Sequence, residues 1–192
     1  LAWERGRLPD GGLRTLQCAS LSCDGSFWEM FSSWATGGCL VLLRQAERED
    51  VEALGRLLAR ERIERAILPV VVLHQLAQLV DPASLALREV VSTGERLEIT
   101  DAVRAFFAAS GARLRNDYGP SETHVVSSEG LAADPAEWRD LPAIGAPIPG
   151  ARLLVLDGRL EPVPVGIPGE LWLGGTVLGR GYHGRPALTA AA

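Results

Sequence analysis

Apolar positions recur along the first 116 residues in two alternating rhythms. From Ser26 to Thr36, Phe27, Met30, Phe31 and Trp34 fall at spacings of three and four, which is one apolar face of a helix. Ser26 has the residue type of an N-cap, and Glu29, three positions later, completes the pattern of a capping box. Gly37-Gly38 stops this helix, and Cys39 to Leu43 is a short, continuous apolar strand. The helical rhythm returns from Glu49 to Arg62, with Val51, Leu54, Leu57 and Leu58 on one side and charges on the other. Glu64 to Leu68 reads as a strand ended by Pro69, Val70 to Val80 as an apolar helix, and Arg88 to Ser92 as a buried strand. Ile99 to Ala109 reads as a further helix and Ala112 to Asn116 as a further strand. Such alternation predicts an α/β fold, with parallel strands joined by helical crossovers.

The texture changes after Gly130. Prolines at 142, 147, 149, 162, 164 and 168 punctuate short β-like segments such as Arg152 to Leu156 and Glu170 to Leu173. A boundary near Gly150 is therefore expected, with residues 1–150 forming part of an α/β subdomain and residues 151–192 opening a small β subdomain.

Composition narrows the function classes. The chain has 192 residues, 47% of them hydrophobic and 22% charged, enough to bury a core. A net charge of -5 offers no basic face for nucleic acid. No apolar run approaches the roughly 20 residues of a membrane span, and no signal segment opens the chain, so a soluble cytoplasmic protein is expected. Cys18, Cys23 and Cys39 lack the paired spacing of a zinc site and read as reduced core thiols. His74, His124 and His183 are scattered, without the spacing of a metal site or a Ser/His triad. All 19 basic residues are arginine, so chemistry that needs a lysine ammonium must obtain it from outside these residues.

In parallel α/β sheets, ligands bind beyond the carboxyl ends of the strands. Three clusters occupy such places: Thr93-Gly94-Glu95, Asp117-Tyr118-Gly119-Pro120-Ser121-Glu122-Thr123, and Cys23-Asp24-Gly25-Ser26. Gly119-Pro120 forces a turn that leaves the Tyr118 ring free for a planar ligand. Ser121 and Glu122 put a hydroxyl and a carboxylate on the same turn, suited to phosphate and Mg²⁺, although the same residues also serve ordinary loops. Asp24 is either a surface residue at a helix N-terminus or a carboxylate at the mouth of an apolar pocket, paired with a ligand ammonium. The glycines between 169 and 181 do not form a phosphate-binding loop; hairpin turns account for them.

Taken together, these segments resemble the ordered motifs of the adenylation domains of nonribosomal peptide synthetases. Cys23-Asp24-Gly25-Ser26 with its helix resembles Phe-Asp-x-Ser, and Asn116 to Glu122 resembles Asn-x-Tyr-Gly-Pro-Thr-Glu. Ala143 to Pro149 fits an Ile-Gly-x-Pro pattern, and Gly169 to Tyr182 resembles Gly-Glu-Leu-x-x-x-Gly ending in Ala-Arg-Gly-Tyr. Cys23 replaces the family's Phe, Val70 its second Pro after Pro69, and Gly179 its commoner Ala.

The resemblance implies a partial parallel sheet with flanking helices, followed by the start of a small β-barrel subdomain. It implies that an amino acid and ATP give aminoacyl-AMP and pyrophosphate, and that the acyl group passes to a phosphopantetheine thiol. The partners it implies are peptidyl carrier and condensation domains of the same synthetase. Tyr118 would stack on adenine, with Gly94, Glu95, Asn116 and Gly119 around the base. Ser121 would approach phosphate, Glu122 would hold Mg²⁺, and Asp24 would bind the substrate ammonium. The pocket-lining positions fall on Asp24, Gly25, Trp28, Ile67, Val91, Thr93, Asp117, Val125 and Val126, which suits a bulky hydrophobic or aromatic side chain. Asp117, if unpaired, would favour an aromatic substrate carrying a donor.

By the same resemblance, the phosphate loop is expected before Leu1, and the ribose-binding motif and catalytic lysine after Ala192, so the isolated stretch is expected to be inactive. Two alternatives are an acyl- or aryl-CoA ligase fragment and a non-catalytic AMP-binding-like module. Asp24 argues against the ligase, because an acid without an α-amine needs no carboxylate there.

Overall fold

A computed structural model describes residues 2–191. The short helix α1 (Ala2–Arg5) leads to β1 (Arg14–Gln17), α2 (Asp24–Ala35), β2 (Cys39–Leu42), α3 (Gln45–Arg48) and α4 (Val51–Arg60). Then follow β3 (Arg65–Pro69), α5 (Val70–Leu79), β4 (Glu89–Thr93), α6 (Asp101–Ser110) and β5 (Arg113–Tyr118). The described chain ends with β6 (Ser127–Gly130), β7 (Ala146–Pro147), β8 (Ala151–Leu156), β9 (Glu170–Gly175) and α7 (Pro186–Ala191). One sheet has the order β2-β1-β3-β4-β5-β6-β7, parallel from β2 to β5 and antiparallel at β6 and β7. β8 and β9 form a separate antiparallel sheet. This is the α/β architecture that the alternating pattern predicts. Among the described residues, no helix is long and apolar enough to cross a membrane.

One face of the sheet carries the main core. Leu16, Ala66, Leu68, Val90 and Leu114 meet Leu54, Leu57 and Leu58 of α4, Leu73 and Leu76 of α5, and Phe106 and Phe107 of α6. The helices are closed by local chemistry. Asp50 Oδ1 accepts from the Glu52 and Ala53 amides at 2.9 and 3.2 Å, and Thr100 Oγ1 accepts from the Val103 amide at 3.2 Å. Gly111, with φ 66°, ends α6 in the left-handed conformation that glycine tolerates best.

The opposite face is charged. Strand alternation puts Arg65, Glu89, Arg115 and Asp117 on it, and α1 and α2 cover them. The Glu4 carboxylate pairs with Arg65 and, at 3.0 Å, with Arg115. Arg65 Nε reaches Glu89 at 2.9 Å, and Arg115 Nη2 lies 2.9 Å from Asp117 Oδ2. The Trp28 ring lies 5.8 Å from the Arg65 guanidinium carbon and 5.7 Å from that of Arg115, and Trp3 lies 5.3 Å from the latter. Each buried cation thus has carboxylates and an aromatic face in place of water. Burial pushes the Glu89 carboxyl up, but Arg115 and Arg65 outweigh it and hold it below its ordinary range. At Asp117 burial wins over Arg115, and the carboxyl is pushed up.

This charged face reverses the expectation for α2. Phe27 and Trp34, read as its core face, are 53% and 54% exposed, and the buried side is Ser26, Trp28, Glu29, Ser32 and Ser33. A polar helix face is required there, because Ser32 Oγ must accept from Arg65 Nη1 at 2.8 Å. The capping box is also absent. The helix begins at Asp24 after Cys23, and Ser26 Oγ donates to the Cys23 carbonyl at 2.8 Å. Glu29 instead accepts from the Cys18 and Ala19 amides at 3.0 and 3.1 Å, satisfying the backbone just after β1. Two of the three thiols are not core residues: Cys23 and Cys39 are exposed. β1 falls in a stretch with too few apolar residues to stand out, and β5 runs two residues past the expected Asn116.

Arg115→Met would leave Asp117 buried without its cation. It is expected to lower the unfolding free energy by about 3–5 kcal/mol in a urea titration of the folded domain. A loss below about 1 kcal/mol would show that the row does not depend on this pair.

Candidate functional site

β3, β4 and β5 end side by side, and two cavities open beyond them. The first, of 380 Å³, is lined by Gly94, Glu95, Asn116, Tyr118 and Gly119, with Leu97, Pro142 and Ile144 supplying apolar wall. Tyr118 is partly exposed at the end of β5, and the Asn116 amide donates to the Ala143 carbonyl at 2.9 Å, drawing the proline-rich segment over the opening. Ser121 lies outside this lining, exposed on the following turn. The turn needs glycine at 119, since a Cβ there would lie 1.7 Å from the His124 carbonyl oxygen.

The second cavity, of 550 Å³, is lined by Gly25, Ile67 and Thr93 together with Leu43, Leu54, Leu68 and Val72. It shares Gly94 and Glu95 with the first. Trp28, Ile67, Val91 and Val125 pack into one buried apolar cluster beside it. Val126 is fully buried and contributes its backbone, donating to the Tyr118 carbonyl at 2.8 Å and accepting from Ile148 at 2.9 Å. Asp117 is buried and ion-paired with Arg115, so the case for a substrate donor, which required an unpaired Asp117, loses its premise. Arg115 was legible by strand alternation, two residues before Asp117 on the same face.

Asp24 opens α2, and its Oδ2 lies 2.7 Å from His124 Nδ1, each side chain 40% exposed. Burial pushes the Asp24 carboxyl up, but the His124 hydrogen bond and charge outweigh it and hold it below its ordinary range. His124, set aside in the sequence for its lack of metal spacing, is thereby brought to Asp24 across 100 residues. The exposed Glu122 carboxylate accepts from the Tyr182 hydroxyl, which lowers the carboxyl pKa and raises that of the phenol. Gly179 donates to the Glu122 carbonyl at 2.7 Å, so the 179–182 segment is tied to this turn. Among the described residues, no three His, Cys, Asp or Glu side chains gather into a metal cage. A single exposed carboxylate nevertheless fits Mg²⁺ that takes its remaining ligands from water and phosphate.

On the cavity's other side Glu29 is fully buried, and burial raises its carboxyl to about 7, although the amides of Cys18 and Ala19 and the Gln17 side chain oppose this. Burial, with the Glu29 charge, pushes the neighbouring Cys18 thiol up to about 11.

An open, mainly parallel sheet with paired cavities beyond its strand ends is the layout of a ligand-binding α/β enzyme core. Residues 2–183 match the family described as AMP-binding enzyme. The chain belongs to that family and is part of an adenylation domain of the nonribosomal peptide synthetase kind. It is 39% identical over 201 residues to phosphinothricin tripeptide synthetase PhsB of Streptomyces viridochromogenes, covering 99% of this chain and 16% of that protein. It is 41% identical over 180 residues to bacitracin synthase 3 of Bacillus licheniformis, covering 93% of this chain and 3% of that protein. The solved structure of holo-PA1221, an NRPS protein with adenylation and PCP domains bound to a vinylsulfonamide inhibitor, superposes with a TM-score of 0.82 at 28% identity, covering 95% of this chain and 32% of that one. The chain thus spans a small part of each curated relative and about a third of the solved neighbour.

Two outcomes follow from the buried groups. Iodoacetamide at pH 8 should label Cys23 and Cys39 at least ~10-fold faster than the half-buried Cys18 in peptide mapping, and equal rates would contradict the raised pKa of its thiol. A Glu29 carboxyl raised from 4.5 to about 7 stabilises the fold fully below pH 4.5, and that contribution is lost as pH rises through 7. The melting advantage of wild type over Glu29→Gln should therefore shrink between pH 5 and pH 8; an advantage that grows with pH would reverse the assignment.

Proposed function

We propose that this stretch supplies the adenine pocket and the amino-acid pocket of a domain that activates an amino acid for nonribosomal peptide synthesis. The observation that carries the reading is the shared wall: Gly94 and Glu95 line both cavities, one beside Tyr118 and the other beside Gly25 and Asp24. A nucleotide and an amino acid held there would meet at that wall. A carboxylate oxygen of the amino acid attacks the α-phosphorus of ATP, the bond to the β,γ-phosphates breaks, and pyrophosphate leaves with aminoacyl-AMP formed. In the second step a carrier phosphopantetheine thiol takes the acyl group and AMP leaves.

Tyr118 offers its ring to adenine, and Gly94, Glu95, Asn116 and Gly119 shape the slot around the base. Ser121 reaches phosphate by its hydroxyl, and Glu122, kept ionised by the Tyr182 hydrogen bond, would hold Mg²⁺, which would neutralise phosphate charge. Asp24, kept ionised by His124, pairs with the α-ammonium. The apolar cluster of Trp28, Ile67, Val91 and Val125, with Thr93 and the buried Val126 beside it, favours a bulky hydrophobic or aromatic side chain. With Asp117 answered by Arg115, that carboxylate no longer asks the side chain for a donor. The peptidyl carrier and condensation domains of the same synthetase are the partners this reaction needs. The chain has no lysine and acts within the complete domain.

The test is amino-acid-dependent ATP–pyrophosphate exchange by the complete domain. Exchange is expected with leucine, phenylalanine or tryptophan. Asp24→Ala should reduce kcat/KM for the amino acid by roughly 10–100-fold, the size of a lost hydrogen bond to a charged group. Tyr118→Ala should raise the KM for ATP by about 10-fold, the size of a lost base-stacking contact. Exchange confined to acidic or small polar amino acids would overturn the pocket reading, and activation only of acids without an α-amine would move the domain to the CoA ligases.

A further inference from the structure

We propose that His124 is a positioning residue for the substrate amino group, its ring fixing the Asp24 carboxylate and the Trp28 indole in the arrangement the amino acid meets. The proposal rests on the amino-acid-activating reading above. His124 touches both residues at once: Nδ1 lies 2.7 Å from Asp24 Oδ2, and the imidazole stands edge-on to Trp28, with centroids 5.3 Å apart and planes at 88°. These two contacts reach opposite ends of one turn of α2, the carboxylate assigned to the ammonium and the indole assigned to the pocket wall.

The ring is itself held by an unusual backbone. His124 has φ 58°, in the left-handed region that non-glycine residues seldom occupy. Its carbonyl lies against Gly119 and accepts from Thr123 Oγ1 at 2.9 Å. Such a conformation persists where the surroundings enforce it and is concentrated at functional sites. Here it aims the imidazole from the nucleotide-side turn across to α2.

The chemistry leaves room for substrate. An imidazole donating Nδ1–H to Oδ2 occupies one of about four acceptor positions on the carboxylate. Oδ1 has only a weak contact with the Cys23 thiol at 3.5 Å. Asp24 and His124 are each 40% exposed while Trp28 is buried, so the dyad is reachable from solvent, next to Gly25 of the second cavity. No proton need be transferred; His124 orients the carboxylate, and the ammonium pairs with the oxygen left over.

The complete domain is assayed by pyrophosphate exchange, varying amino acid at saturating ATP and then ATP at saturating amino acid, in wild type, His124→Gly and His124→Asn. Glycine relieves the backbone and removes the donor, whereas asparagine tolerates the left-handed conformation and keeps an N–H near the Nδ1 position. His124→Gly should raise the amino-acid KM by about 10-fold with kcat and the ATP KM within about 2-fold, and His124→Asn should return it to within about 3-fold of wild type. If the glycine variant does not fold, His124→Phe provides the donor-free comparison with the ring edge kept. An amino-acid KM unchanged without the donor, an asparagine variant as defective as glycine, or a parallel rise in both KM values would overturn the proposal. If wild type shows no amino-acid-dependent exchange, or Asp24→Ala leaves the amino-acid KM unchanged, the activating reading itself fails and His124 falls with it.

Discussion

A row of buried charge runs beneath α1 and α2, and much of this fold is arranged around it. Arg65 and Arg115 cannot leave the sheet face on which strand alternation puts them, so Glu4, Glu89 and Asp117 must come to them. The helix that covers the row has to present serines and an indole rather than leucines. Trp28 spreads its ring over both guanidinium groups. The same ring belongs to the buried apolar cluster that meets the candidate amino-acid pocket at Ile67. The charge row therefore holds the inner face of α2, the helix that begins at Asp24.

The site above that row is held by contacts between residues far apart in sequence. His124 joins Asp24, Tyr182 joins Glu122, and Asn116 joins the segment at Ala143. The first two link the turn after β5 to α2 and to the 179–182 segment, and the third ties β5 itself to the segment at Ala143, so the turn that would meet the nucleotide is braced from two sides. Loops that carry function on a rigid sheet need such bracing, because the strand ends at Tyr118 and gives the following turn no ladder of its own until β6.

The pocket chemistry is decided by pairing rather than by residue type alone. Asp117 taken alone is a buried acceptor in search of a donor; beside Arg115 its charge is compensated, and burial itself pushes it toward the neutral form. The wall that remains for a ligand combines Leu43, Leu54, Ile67, Leu68 and Val72 with Glu29, Gln75, Thr93 and Glu95. Glu29, likewise pushed toward its neutral form by burial, accepts from the Cys18 and Ala19 amides just after β1 and so finishes a strand rather than a helix.

The sequence by itself determined most of the alternation of strands and helices between residues 39 and 116, the helix from Val70, and the strand ends beyond which the cavities open. Those features come from local periodicity and from turn residues whose conformational demands need no partner. Gly94, Asn116, Tyr118 and Gly119 were legible for the same reason, since they stand at such ends and line one cavity together. Only the tertiary structure decided which side of α2 faces inward. The periodicity of Phe27, Phe31 and Trp34 marks an apolar stripe but cannot say that the surface awaiting this helix is charged. Nor could spacing reveal Arg115 against Glu4, or His124 against Asp24, because contacts between residues 100 or more apart leave no periodic trace in the chain.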